Sequence, residues 1–171
     1  MKLTIEQARE TYKGAEIHEG AEIREGAVIR KGAEIYKGAV IYEAAVIHEG
    51  AVIYEGAVIR KGAVIREGAV IHEASVIGEG AVIREGAEIY EASVIGEGRK
   101  NVKNSLAING IGKTGNITAY HCEDGLIVNI GCANDYKGLP VSEMRERIAE
   151  KYPSDHEYFV AMDLIEKWGS K

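Results

Sequence analysis

Three sets of residues in this 171-residue chain have the types that chemistry needs. His18, His48 and His72 are candidate general bases, but each stands in a slot that Tyr or Arg fills elsewhere at the same spacing. A general base needs an individual, positioned environment, and a tiled slot is a poor place for one. Gly110-Ile-Gly-Lys-Thr114 has the flavour of a phosphate loop, with Lys113 placed to meet an anion. The eight-residue form needs Gly at 107, where Ala107 stands, and a strand rather than a helix is expected after Thr114. His121, Cys122 and Cys132 suggest a thiol nucleophile or zinc, but adjacent strand residues point to opposite faces, so buried structural thiols are the better reading.

The elements that position these residues follow from a period of six. From Gly14 to Gly98 the chain reads GAEIHE, GAEIRE, GAVIRK and onward, with Ile at every sixth position from Ile17 to Ile95. A fixed short period decides the fold before local propensity does. Six residues match no helical face, whereas alternation within each unit gives a short strand, and the Gly before it supplies the turn. Folded at period eighteen, the chain has three outer faces. The first carries His18, Tyr36, Tyr54, His72 and Tyr90, beside Glu16, Glu34, Val52, Val70 and Glu88. The second carries Arg24, Tyr42, Arg60, Gly78 and Gly96. The third carries Arg30, His48, Arg66 and Arg84 beside an unbroken column of Val28, Val46, Val64 and Val82. A solvated face has no reason to keep only Val there, so this column is read as an oligomer interface.

The repeated Ile-x-x-Gly-Ala-x motif resembles the hexapeptide-repeat, left-handed β-helix family, over about half the chain. The resemblance implies a mainly β fold: a left-handed parallel β-helix with three strands per coil, a triangular prism with Ile inside. Fourteen repeats make about 4.7 coils and a prism roughly 22 Å long at a strand spacing of about 4.8 Å. It also implies homo-oligomers, commonly trimers, and a CoA-dependent acyltransferase as one member activity. Acyltransferases of the family place a catalytic His near a loop thrown out from the prism, and no loop interrupts the repeats here. A metal-dependent carbonic anhydrase fits less well, because His18 and His72 stand three coils apart. No repeat contains Thr, which removes an ice-binding ladder.

Three segments are expected: an N-terminal helical cap over 1–13, the β-helix over 14–98, and a C-terminal α+β unit over 99–171. The net charge of −6 excludes nucleic acid as the main partner, and the acidity lies in the prism corners, where solvated Glu rather than calcium ligands are expected. No stretch suits a membrane span or a signal peptide, and two Cys form no disulfide framework, so a reducing compartment is expected. Thr4-Ile-Glu-Gln7 is a capping box. In the tail, Asp124-Gly125 reads as the two-residue turn of a hairpin, which would set Cys122 opposite Ile127 and Tyr120 opposite Asn129, on the face away from Leu126, Val128 and Ile130. Two helices follow, the first near Pro140 to Tyr152 and the second capped by Ser154 or Asp155. Thr118-Ala-Tyr120, Asp124-Gly-Leu126, Gly131-Cys132 and His156-Glu-Tyr158 together resemble a tail of uncharacterised bacterial and phage hexapeptide-repeat proteins. That resemblance implies that the compartment is the bacterial cytoplasm or a phage-infected cell, and it implies no activity.

The functional expectation is a non-enzymatic oligomeric scaffold or binding protein, trimer favoured, with the C-terminal unit as recognition head for a protein partner. The alternative is a binder of a small anionic, nucleotide-like ligand at subunit grooves, and the second alternative an acyltransferase. The candidate ligand-binding residues are Tyr54, Arg66, Arg84, Lys113, Tyr120, Asn129 and Tyr136. No catalytic residue, cofactor or metal is assigned.

Overall fold

A computed structural model describes residues 1–111, 115–130, 138–154 and 156–170, without the side chains of 109–111 and 115. The repeats form a parallel β-solenoid of about five turns, preceded by a short helix and followed by antiparallel strands and two helices. Each unit contributes a strand as short as Glu16–Ile17 or Val94–Ile95. Units eighteen residues apart pair in parallel, as Ile17 with Ile35 and Val28 with Val46 show. Inward Ile and Ala are buried along the whole prism. The turn before each strand takes a positive φ, about +66° at Gly50, which explains Gly there. Ala44, Ala74 and Ala92 hold the same left-handed turn without Gly.

The coils have a direction. The N–H groups flanking each inward Ile point to the next coil, as in Glu16 N to Ala33 O at 2.8 Å and His18 N to Ile35 O at 2.9 Å, while turn N–H groups such as Gly32 N donate back to Gly14 O at 2.7 Å. The first coil is therefore left with carbonyls such as Ile17 O facing outward, and the last with N–H groups such as Tyr90 N and Val94 N. Unpaired sheet edges template aggregation, and buried unpaired groups are costly.

Donors close the first end. Thr4 and Gln7 form the expected capping box and start α1 (Ile5–Thr11). Ala8 is buried, and Ile5 and Tyr12 pack on the solenoid core. Arg9 Nε donates to Ile17 O at 2.8 Å, Leu3 N to Ile23 O at 2.9 Å, and Tyr12 Oη to Ala27 O at 2.8 Å. The three sides of the first coil each gain a partner.

Three acceptors and a donor close the last end. Strands Val102–Ile111, Gly115–Cys122 and Gly125–Ile130 form an antiparallel sheet, joined to the prism through the parallel pairing of Val102 with Ile83. Alternation gives this sheet two faces. One, with Ser105, Thr118, Tyr120 and Asn129, meets the end of the prism. Ser105 Oγ accepts from Tyr90 N at 2.9 Å, Thr118 Oγ1 from Val94 N at 3.0 Å, and Tyr120 Oη from Gly96 N at 3.1 Å. Asn129 Nδ2 donates to Val94 O at 2.8 Å. The other face, with Ile117, Ala119 and Val128, forms a second core with α2 (Val141–Ala149) and α3 (Glu157–Gly169).

Three expectations are corrected. The hairpin turns on Glu123-Asp124, with Gly125 at φ +97° opposite Cys122, so Tyr120 opposes Ile127 and Thr118 opposes Asn129. A residue able to hold that positive φ closes the pairing one step earlier than an Asp-Gly turn would. Tyr120 and Asn129 still share the face away from Leu126 and Val128, because a two-residue shift of partner keeps every side chain on its face. The N-cap of α3 is His156, whose Nδ1 accepts from Tyr158 N; Ser154 lies outside the helix, and Asp155 lies outside the described residues. The first of the two helices ends at Ala149 rather than near Tyr152. No helix among the described residues is long and apolar enough to cross a membrane.

Candidate functional site

The first face carries a continuous column of rings. Successive centroids from His18 through Tyr36, Tyr54 and His72 to Tyr90 lie 4.5, 5.1, 5.4 and 5.7 Å apart, with near-parallel planes. Coil stacking dictates this, because the same outward slot recurs at about 4.8 Å. Neighbouring Glu side chains hold the polar atoms. Tyr36 Oη donates to Glu34 at 3.0 Å, Tyr90 Oη donates to Glu88 at 3.1 Å, and His72 Nε2 lies 2.9 Å from Glu88. These bonds to carboxylates push both phenol pKa values up. Tyr54 is one ring inside the column.

On the second face Arg24 is paired with Glu22 and stands 5.7 Å from the Tyr42 ring. The third face differs. Val28, Val46, Val64 and Val82 are in register along it, and Val28 is 40% exposed. Beside them run Arg30, His48, Arg66 and Arg84. Val102 pairs with Ile83 before the register shifts, which brings Lys103 to the end of this column. At its end lies a crevice of about 460 Å³ lined by Arg84, Asn101, Lys103, Cys122 and Glu123.

The structure therefore brings Arg66 and Arg84 together on one face, and puts Tyr54 on another. Tyr120, with 0% exposure, and Asn129, with 7%, lie in the seam against the prism. Their polar groups serve the sheet edge, which corrects the expectation that they present a ligand-binding surface. Lys113 and Tyr136 lie outside the described residues, as does Cys132. The Gly110–Thr114 segment joins two antiparallel strands, so no phosphate-binding helix start follows it. Cys122 is a free, buried thiol whose pKa burial pushes up, the opposite of an activated nucleophile. Among the described residues no group of three or more His, Cys, Asp or Glu converges as a metal site.

Ser75, Ser93 and Ser105 were not singled out from sequence. Ser75 and Ser93 take the inward Ala slot in the last two coils, where Ser75 Oγ donates to Tyr90 O at 2.8 Å and Ser93 Oγ lies 2.7 Å from Ser105 Oγ. The break from Ala to Ser was their signal. Lys103 was hidden because it follows Arg84 by nineteen residues, not eighteen.

The geometry is that of a hexapeptide-repeat β-solenoid. No protein-family model matches the chain, and no curated protein matches it. Among solved structures, the acetyltransferase domain of PglB from Neisseria gonorrhoeae, in complex with acetyl coenzyme A, aligns at 23% identity and a TM-score of 0.29. That alignment covers 53% of this chain and 51% of the other, so the chain matches about half of that protein's length. A putative acetyltransferase from Bacillus cereus aligns at 16% identity and a TM-score of 0.31, covering 91% of this chain and 92% of the other. These likenesses concern fold alone.

Proposed function

We propose that the protein is a non-enzymatic oligomeric scaffold of bacterial or phage origin, acting in the cytoplasm, whose solenoid assembles side by side and carries the C-terminal unit as a recognition head. The observation that supports it is the in-register Val28–Val46–Val64–Val82 column, partly exposed and unbroken by any polar residue, where the matching column of the second face begins with Glu22 and that of the first holds Glu16, Glu34 and Glu88. With both prism ends sealed, association runs through the sides. Parallel prisms around a threefold axis would keep coils level with coils, and a homotrimer is the favoured assembly. Each coil repeats its neighbour and gives a partner no unique address, so recognition is assigned to the unrepeated tail.

Sedimentation equilibrium is expected to give about three times the 18.5 kDa chain mass. Val64→Glu is expected to shift the protein towards monomer with the coil structure retained, since it puts a charge into a packed surface. A wild-type protein that sediments as a monomer at micromolar concentration ends this reading.

Acyl transfer from CoA is the second reading, favoured by the His72–Glu88 contact of 2.9 Å, the geometry of an oriented general base. Against it, His18 repeats the arrangement with Glu16 at 3.4 Å, as a tiled surface would. Acetyl- or succinyl-CoA turnover with amine and hydroxyl acceptors is expected to be absent. Turnover that His72→Ala abolishes would replace the scaffold reading.

A further inference from the structure

The cations of the third face differ from those of the other two. On the first face His18 and His72 have Glu partners, and on the second Arg24 has one. The side chains of Arg66, Arg84 and Lys103 have neither an ion pair nor a hydrogen bond to any described residue. They nevertheless lie in a row: Ile65 pairs with Ile83, which sets Arg66 beside Arg84, and Lys103, just past the Ile83–Val102 pair where the register shifts, lines one crevice with Arg84. Like charges directly opposite one another in a sheet repel. Three such groups in a row, in a chain of net charge −6, form a feature that neither solubility nor pairing explains.

The crevice at the end of the column tells what would relieve the repulsion. Arg84 and Lys103 line it together with Asn101, Cys122 and Glu123. The carboxylate of Glu123 lies in the same crevice, where Asn101 Nδ2 donates to its Oε2 at 3.3 Å, but it stands in no ion pair with either cation, so the crevice holds two cations to one carboxylate. The buried thiol of Cys122, with its pKa raised by burial, adds no negative charge. We infer that Arg66, Arg84 and Lys103 form a binding site for an oxyanion carrying two or more charges, held along the column with one end in the crevice. Arg offers a planar fork that suits phosphate or carboxylate oxygens, and Lys a point charge. The coil spacing of about 4.8 Å favours a ligand with two anionic groups over a single one. All three residues come from one chain, beside the Val column through which the solenoids are proposed to assemble, so the anion would sit at the margin of that interface and the test reads its binding apart from assembly.

Pyrophosphate and tricarballylate are the probes, added to the full-length protein and compared with sodium chloride at equal ionic strength. At ten times the dissociation constant, a site of this kind raises Tm by roughly 3–5 °C. The rise is expected in the wild type and in Arg24→Gln, which removes a cation from the second face. It is expected to vanish in Arg84→Gln/Lys103→Gln, whose exposed positions leave the fold intact. The probe with the larger shift assigns phosphate or carboxylate chemistry to the ligand. An equal rise with sodium chloride means screening only and overturns the site, as does a rise that survives in the double variant.

Discussion

Tyr120→Ala is expected to unseal the solenoid. The side chain is fully buried between the prism and the tail sheet, and its Oη accepts the Gly96 N–H at 3.1 Å. Truncating a buried aromatic costs about 3–5 kcal/mol. The loss also leaves an N–H at the last coil with no acceptor, next to Val94, whose N–H and carbonyl depend on Thr118 and Asn129. Denaturant unfolding should show a midpoint lowered by that amount, with turbidity appearing earlier as the bare edge pairs with other chains. Tyr120→Phe separates the two contributions. It keeps the ring and loses the acceptor, and should cost about 1–3 kcal/mol, the desolvation of one unpaired group.

The same residue carries a pH signature. Burial, the largest influence, pushes the Tyr120 pKa up, partly offset by the Gly96 hydrogen bond and by Arg99. The unfolded chain therefore ionises first. The neutral phenol's contribution is complete below about pH 10, the ordinary Tyr value, and is lost as pH rises through the folded pKa. Tyr120→Phe should accordingly lose less stability than the wild type between neutral pH and strongly alkaline pH. A variant that falls just as steeply would place the alkaline loss in other tyrosines.

The solenoid was legible in the sequence because its physics is periodic. Ile at every sixth residue can satisfy only one way of burying itself, and the register of Ile17 on Ile35 follows from arithmetic. Thr4 and Gln7 were legible for a related reason, since a capping box is local. What was not legible depends on direction and on long-range meeting. Whether Tyr120 faces solvent or the prism turns on which face of the tail sheet docks, and its own strand does not settle that alone. Two clues were present. Ser75 and Ser93 broke an otherwise invariant Ala slot just where the coils end, and the tail strand alternates Thr118, Tyr120 and Cys122 against Ile117, Ala119 and His121. A polar-capable row matched to an end with exposed N–H groups is a sealing surface, and that polarity appears only once the hydrogen bonds have a direction. The same reasoning applies to residues 1–98 alone. Without Ser105, Thr118 and Tyr120 the N–H groups of Tyr90, Val94 and Gly96 lose their acceptors, so the truncated prism is expected to aggregate.

Gly78→Val is expected to be among the most damaging changes in the prism, for a reason unlike that of the turn glycines. Gly62 sits at φ +66° with open space around it, so Gly62→Ala pays only for backbone conformation, about 1–2 kcal/mol. Gly78 has no positive φ, but a Cβ there would lie 2.7 Å from Gly96 C and Glu97 N and 2.8 Å from Gly96 O. These are backbone atoms of the next coil, and no flexible side chain can yield. The coil must move, and over-packing of this kind costs about 3 kcal/mol. The coil that moves is the one whose Gly96 N–H is held by Tyr120 Oη. Damage at residue 78 should therefore reach the seam, and the two sites should not act independently. A double-mutant cycle with Tyr120→Phe tests this, using Gly78→Ala as the milder change so that all four proteins fold. The double variant is expected to lose less stability than the sum of the two single losses, because Gly78→Ala alone already pulls Gly96 from its acceptor. Additive losses would mean that the coil absorbs the methyl group without moving Gly96, and that the clash and the seal are separate features of the fold.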